Sequence, residues 1–361
     1  MTKIGETKNF PIPKSLKLFK FYLYTMILVT GATGLVGSHL LVELLQQDEK
    51  IRALYRTEEK IKATQEIIKF KLGDNAEQLF SKIEWVQTDI TRIPELEDAF
   101  KDIEYVYHCA GYISYNPKDY KLLRKINIEG TANVVNIALS KNIKKFCHVS
   151  SIAALGSELN HKKITESSPR NNEAEHDNYS ISKYGAEMEV WRAAQEGLPV
   201  VIVNPGVIIG AGNFNTGSGK LFSKVNKNLS YYPPLVTGFV AAEDVAKAML
   251  KLMKSEIVNE RFILVSENRS FKEVLAEIAQ ALGKPIPKKQ LQPWMVFIGW
   301  LVQYIGRKLF NTNQEITKNS IKGAFGKSYY DHSLIKEKID FEFTSIKKSI
   351  EETAIYFKRV N

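Results

Sequence analysis

The stretch Met26-Ile27-Leu28-Val29-Thr30-Gly31-Ala32-Thr33-Gly34-Leu35-Val36-Gly37 decides how the chain is read. Its first five residues form a short, mostly apolar run with the character of a strand. Glycines then recur at every third position. From Leu35 onward the apolar residues Leu40, Leu41, Leu44 and Leu45 take helical spacing. A strand, a glycine turn and a helix in this order predict a cradle for a diphosphate. Gly31 lets the chain turn sharply, and Gly34 lets backbone N–H groups approach an anion with no Cβ in the way. Gly37 lets the helix pack close to the sheet, and Thr33, Leu35 and Val36 complete the cradle. The helix dipole favours an anion at that end. A lone glycine turn is weak evidence, but this one stands at the head of an alternating pattern.

Outward from it, strands are expected at 51–55, 83–87, 105–109, 145–149 and 200–204. Helices are expected at 57–72, 96–100, 120–140 and 179–196. Alternation of this kind predicts an α/β chain with a doubly wound parallel sheet, a Rossmann architecture, whose ligands sit beyond the carboxyl ends of the strands. After residue 210 glycine, asparagine and aromatic residues dominate, then a mainly helical region follows. The expected organisation is an extension at 1–25 outside the core and a cofactor-binding and catalytic domain at 26–210. A smaller, mainly helical substrate lobe follows at 211–361, with 238–266 returning to the first domain. Met26 is a second candidate start. The run Gly217-Ser218-Gly219-Lys220 resembles a nucleotide P-loop, but Phe214 and Leu221 stand where that motif needs glycine and a hydroxyl residue.

The cradle and the sheet together point to a dinucleotide. Proteins that bind NAD usually place an acid at the end of the second strand, on the ribose hydroxyls. Tyr55 stands there, followed by Arg56, with Lys60 one turn further on. An arginine binds a 2′-phosphate bidentately where an acid would repel it. NADP(H) is therefore favoured, with NAD(H) still open.

Tyr179-Ser180-Ile181-Ser182-Lys183 places a tyrosine and a lysine on one helix face. A tyrosine that exchanges a proton near neutral pH needs its pKa lowered by about 3 units, or about 4 kcal/mol, and a neighbouring ammonium acts in that direction. Ser151, at the end of an expected strand, can donate to a substrate oxygen on which charge changes.

With these residues in order, the sequence resembles the extended short-chain dehydrogenases, the group of dihydroflavonol-type reductases, 3β-hydroxysteroid-type dehydrogenases and epimerases. The resemblance runs from about residue 26 to the C-terminus and is strongest up to Val245. Asp89-Ile90 matches the pair that contacts the adenine. Cys109-Ala110-Gly111 matches the small-residue turn beside the cofactor, and Asn204-Pro205-Gly206-Val207 the segment near the nicotinamide. Val240 opens VAAEDVAKAM, which matches the returning helix. The resemblance implies that Tyr179 is the general acid in reduction and the base in oxidation. It implies that Lys183 lowers the tyrosine pKa and holds the nicotinamide ribose, and that Ser151 orients the carbonyl or alcohol. Asn127, in NIEGTANV, matches an asparagine with a role in a proton relay or in the helix alone.

Three readings compete. The first is a reductase or dehydrogenase on a carbonyl/alcohol pair. The second is a nucleotide-sugar epimerase or dehydratase with retained NAD. The third is a silent cofactor-binding regulator, against which the intact Ser/Tyr/Lys set argues. Dehydratases of this family carry acids after the catalytic hydroxyl residue, whereas Ile152-Ala153-Ala154 follow here. Epimerases of the family use an arginine after the segment at Pro205, and none occurs from Gly206 to Val240. The expected substrate is apolar and ring-containing, walled by Tyr112, Ser114, Tyr115, Phe214 and Tyr231, with Phe222, Tyr232 and Phe239 nearby.

Composition sets outer bounds. Apolar content of 44% and charge of 25% suit a globular protein. The net charge is +10, of which residues 1–25 supply +4. No basic run interleaved with aromatics suggests nucleic acid. Cys109 and Cys147 read as buried thiols in a reducing compartment, and no histidine spacing suggests a metal. A cytoplasmic location is expected. The unusually apolar run Trp294 to Val302, followed by Arg307-Lys308, reads as a lobe core helix, a pocket cap or a peripheral membrane contact. A homodimer stays open.

Overall fold

The computed structural model describes residues 26–47, 49–157, 163–171, 173–310 and 325–361. The extension expected at 1–25 lies outside the described residues. Twelve strands are described: β1 (Met26–Thr30), β2 (Lys50–Tyr55), β3 (Ile83–Gln87), β4 (Ile103–His108), β5 (Lys145–Val149), β6 (Val200–Pro205), β7 (Val207–Ile209), β8 (Tyr231–Tyr232), β9 (Val236–Ala241), β10 (Glu260–Leu264), β11 (Glu267–Ser270) and β12 (Lys289–Gln290). Eight of the described helices matter below: α1 (Leu35–Leu45), α2 (Glu58–Leu72), α3 (Gly130–Ser140), α4 (Asn178–Gln195), α5 (Ala242–Lys254), α6 (Phe271–Leu282), α7 (Pro293–Phe310) and α8 (Ile346–Val360).

Seven strands form one parallel sheet in the order β10-β6-β5-β4-β1-β2-β3. Strands buried on both faces read as continuous apolar runs, and every residue of β5 and β6 is buried. Alternate residues divide between two cores. Ile27, Val29, Tyr107, Cys147 and Val201 face α1 and α5, while Leu28, Val106, Phe146 and Val200 face α3 and α4. The one lysine in this buried set, Lys145, donates to the carbonyls of Leu252 (2.6 Å) and Ser255 (2.7 Å). It thereby caps the C-terminus of α5 with a positive charge.

Past β6 the chain forms a second sheet, β11-β9-β7, and a two-stranded ladder, β12-β8. Between β9 and β11 it returns to the main sheet as β10. The lobe has its own core, in which α6 and α8 pack around Phe214, Phe222, Tyr356 and Phe357. Ser270 starts α6 with a capping box closed by Glu273. The long helix expected at 120–140 is interrupted. Residues Arg124–Glu129 form a π-helical turn, with an extra residue in the ladder, and α3 follows it.

Candidate active site

The chain lays β1, β2 and β3 outward in one direction, then returns to place β4 on the other side of β1. The crevice at such a reversal is where open α/β sheets take ligands. Gly31 has φ +63°, and a Cβ there would come 2.5 Å from the Ala110 backbone nitrogen. The turn is thus pressed against the end of β4. A Cβ at Gly37 would come 2.7 Å from Ala32 Cα, so the first turn of α1 needs glycine to close on the cradle. Thr30 Oγ1 bonds His108 Nδ1 at 2.7 Å and accepts from the Ala110 N–H at 3.3 Å, which ties the two strand ends together. Gly34 is exposed at the N-cap of α1. No side chain caps that helix and its first turn holds no acid. The residues of the turn therefore fit an anionic diphosphate: the dipole end is open, and Leu35, Val36 and Gly37 lie behind it.

At the far end of the crevice, Arg56 follows β2 and Asp89 follows β3. The Arg56 guanidinium lies 3.8 Å from the Asp89 carboxylate, a loose pair at the surface. Lys60, in α2, is held below its usual range by burial and by the nearby Arg56. Two cations, Arg56 and Lys60, therefore gather at this end of the crevice. Burial alone would raise the Asp89 carboxyl, but bonds from the Thr91 N–H (2.9 Å) and hydroxyl (2.8 Å) bring it below the ordinary value. Ile90 is buried against Gly130, where a Cβ would come 2.6 Å from its Cδ1.

The candidate reacting groups stand at the opposite end. Asp177 caps α4 by accepting from the Ser180 N–H at 2.9 Å, which places Tyr179 in the first helical turn. The Ser151 hydroxyl stands near enough to the Tyr179 phenol to favour its ionised form. The Tyr115 ring packs at a tilt against Tyr179, with centroids 5.8 Å apart. Lys183 is buried and donates from Nζ to the Val149 carbonyl at 2.7 Å. Burial lowers its ammonium to about 8, opposed by the Glu187 carboxylate.

Sequence reasoning has Lys183 lowering the Tyr179 pKa. In this arrangement burial and the Tyr115 phenol push Tyr179 above its ordinary value, and Ser151 offsets only part of that. The physical reason is direction: the ammonium points at Val149 rather than at the phenol.

Behind these groups lies a polar frame that the motif search did not single out. Glu187, one turn beyond Lys183 and fully buried, accepts from Ser150 (2.7 Å), Asn204 (2.9 Å) and Arg261 (2.8 Å). Asn204 also donates to the Ser151 carbonyl at 3.0 Å. Arg170 donates to the carbonyls of Ala153 and Ala154 and to the Ser180 hydroxyl, joining the Ser151 loop to the start of α4. Asn127, on the π-turn, clamps the loop after β4. It accepts from the Tyr112 N–H at 2.7 Å and donates to the Tyr112 carbonyl at 3.0 Å and to Ser182 at 2.9 Å. Gly111 sits between this clamp and Lys183. Glu187 was findable from sequence, since it continues the i, i+4 face that begins at Tyr179 and Lys183.

The expected substrate wall divides. Tyr112 and Ser114 both donate to Asp119 (3.1 and 2.6 Å), so their hydroxyls brace the loop. Tyr115 reaches the site. Phe214, by contrast, is buried in the lobe core with its ring edge-on to Phe357 at 4.7 Å. Phe222, Tyr232 and Phe239 are buried too. These four are core rather than wall, because their rings fill the contact between the lobe's own elements. Tyr231 lies on the β8–β12 ladder with the Lys289 ammonium 5.7 Å from its ring centroid. Pro205 ends β6 buried, and Val207 begins β7 half-buried.

A crevice built for a dinucleotide beside a Ser/Tyr/Lys set defines an NAD(P)-dependent oxidoreductase of the extended short-chain dehydrogenase type. Residues 27–264, more than half of the chain, match the NAD-dependent epimerase/dehydratase family, and the chain belongs to it. A dihydroflavonol 4-reductase-like protein of Synechocystis sp. is 28% identical over 337 residues, covering 91% of this chain and 94% of that protein. Sterol demethylase protein B of Methylococcus capsulatus is 26% identical, covering 74% and 77%. The structure of UDP-glucose 4-epimerase from Thermotoga maritima, with UDP-glucose, superimposes with a TM-score of 0.72 at 19% identity, over 93% of this chain and 99% of that one. At that identity the likeness is one of fold. Reductases and UDP-glucose 4-epimerases both occur among the similar proteins.

Proposed function

We propose that the chain is an NADP(H)-dependent reductase or dehydrogenase that interconverts a carbonyl and an alcohol on an apolar, ring-containing substrate. The observation that carries this reading is the Tyr179 phenol set against the tilted Tyr115 ring, with the Ser151 hydroxyl near enough to favour its ionised form. The nicotinamide, when bound, supplies or accepts the hydride. Ser151 donates to the substrate oxygen and orients it. Tyr179 gives that oxygen a proton in reduction and takes one in oxidation. Lys183 holds the ribose and, when its ammonium turns from Val149, stabilises the phenolate. The loop after β4 offers Ile113, Tyr115, Tyr120 and Leu122, all exposed, as an apolar rim. No arginine lies between Gly206 and Val240 to hold a nucleotide. The Arg56–Lys60 pair, with Tyr55 in place of an acid, supports NADP(H) over NAD(H).

The test is a substrate screen with both cofactors. Ring-containing ketones should turn over with NADPH, and UDP- or GDP-sugars should not. Turnover of a nucleotide sugar with tightly held NAD, and with hydrophobic ketones inert, would reverse the assignment in favour of the epimerase.

A further inference from the structure

Helices on protein surfaces normally turn their apolar stripe inward. In α7 that order is inverted. Trp294, Phe297, Ile298, Leu301, Val302 and Ile305 are all exposed, from 39% at Leu301 to 64% at Val302. Their spacing of three and four gathers them into one outward arc of about 140°, at 3.6 residues per turn. The opposite face carries Val296, buried, with Gly299, Gln303 and Gly306 half-buried. The helix is thus seated by Val296 and by small and polar residues beside it. It is tethered through β12, where the Leu291 N–H donates to the Tyr232 carbonyl at 2.8 Å.

Its charge is one-sided. From Ile278 to Phe310 the sequence holds no aspartate or glutamate, while Lys284, Lys288, Lys289, Arg307 and Lys308 fall before and after the apolar arc. Cations at both ends of an exposed apolar stripe match a surface with a negative outer layer and a greasy layer beneath. Tryptophan and tyrosine suit the boundary between the two. Trp294 stands at the start of the arc, and Trp300 and Tyr304 stack at its flank with centroids 5.4 Å apart. No described helix is long and apolar enough to cross a membrane. An orientation in the plane of the surface is what remains for an apolar face of this length.

We propose that α7 docks the protein on an anionic lipid surface, lying in the headgroup plane with its outward arc inserted. A second copy of the chain would cover the apolar arc equally well, but two copies would bring like charges together at both ends of the helix. The inference does not depend on which substrate the site takes.

The test uses the full chain and extruded vesicles, sedimented with and without about 30 mol% phosphatidylglycerol in phosphatidylcholine. Binding should require the anionic lipid and weaken in high salt. The triple variant Phe297→Ser/Leu301→Ser/Ile305→Ser should lose at least about tenfold in vesicle affinity, because the inserted area is removed. These side chains are exposed, so melting temperature and NADPH affinity should be unchanged and report that the variant is folded. Arg307→Gln/Lys308→Gln should weaken binding and flatten its salt dependence. Failure of the native chain to bind anionic vesicles overturns the proposal, as does equal binding by the folded triple variant. A lipid-free dimer that the triple variant dissociates, with no vesicle binding, would assign the arc to a second copy instead.

Discussion

The Lys183 ammonium donates to the Val149 carbonyl at 2.7 Å, so the lysine is anchored to the end of β5 rather than to the phenol one turn before it. Burial holds that ammonium at about 8, whereas an unfolded chain would keep its proton to near 10.5. Between those values the unfolded chain binds more protons, so stability rises with pH across that window, and the cost of burying the charge is complete below about pH 8. Lys183→Met should therefore melt higher than the native chain at pH 7, by at most about 3 kcal/mol. The advantage should shrink as pH climbs from 8 to 10.5. A pH-independent difference in melting would contradict the assignment of that charge.

Tyr179→Phe should lower kcat by about two to four orders of magnitude, the usual contribution of a positioned proton donor. NADPH affinity should hold, because the turn that fits a diphosphate, Gly31 to Gly37, lies apart from the phenol. Calorimetry and steady-state kinetics on the purified variant separate the two effects.

Arg56→Ala should narrow the preference for NADPH over NADH. Its side chain is half exposed, so the contact falls at the lower end of charge-assisted bonds, about 1.5 kcal/mol or roughly tenfold. NADH affinity should be unchanged. A variant that loses both cofactors equally would make Arg56 a structural residue.

Glu187→Ala leaves the Arg261 guanidinium and the donors of Ser150, Trp191 and Asn204 without their shared acceptor, and should cost about 3–5 kcal/mol in urea unfolding. Glu187→Gln keeps the shape and gives the more informative result. The carboxylate raises the Lys183 pKa, so its neutralisation should move the alkaline limb of the rate profile to lower pH. A merely structural glutamate would leave that limb in place.

Gly31→Ala should abolish cofactor binding and depress stability. The added Cβ would meet the Ala110 backbone at 2.5 Å, and φ +63° disfavours any side chain. Binding by fluorescence and a thermal melt would both register the change.

Much of this was legible in the chain because it is local. The strand periods, the glycine turn and the Tyr179–Lys183 face depend on neighbours a few residues apart. What was not legible depends on partners far away. Aromatic content placed Phe214 near a pocket, but only the packing of α8 shows that its ring faces Phe357. The π-turn at Arg124–Glu129 inserts one residue into a hydrogen-bond ladder and leaves the apolar spacing almost unchanged, so Asn127 gave no sign of the two-point clamp it makes on Tyr112. The motif named Lys183 but not the carbonyl it faces, because Val149 lies on a strand 34 residues earlier. Cys147 is buried and Cys109 half-buried, both free thiols, and burial pushes Cys109 up to about 12. The expectation of buried thiols thus holds for Cys147, whereas Cys109 is only half-buried.

The meeting of Phe214 with Phe357 sets a timetable. At 5–20 residues per second, the roughly 140 residues between them take a ribosome about 7–30 s to make. Throughout that interval Phe214 and Phe222 have been synthesised and α8 has not. The lobe therefore waits as an open, sticky half while the parallel sheet beside it can already assemble. Slow translation of the stretch before Ile346 would lengthen the exposure of those rings in direct proportion.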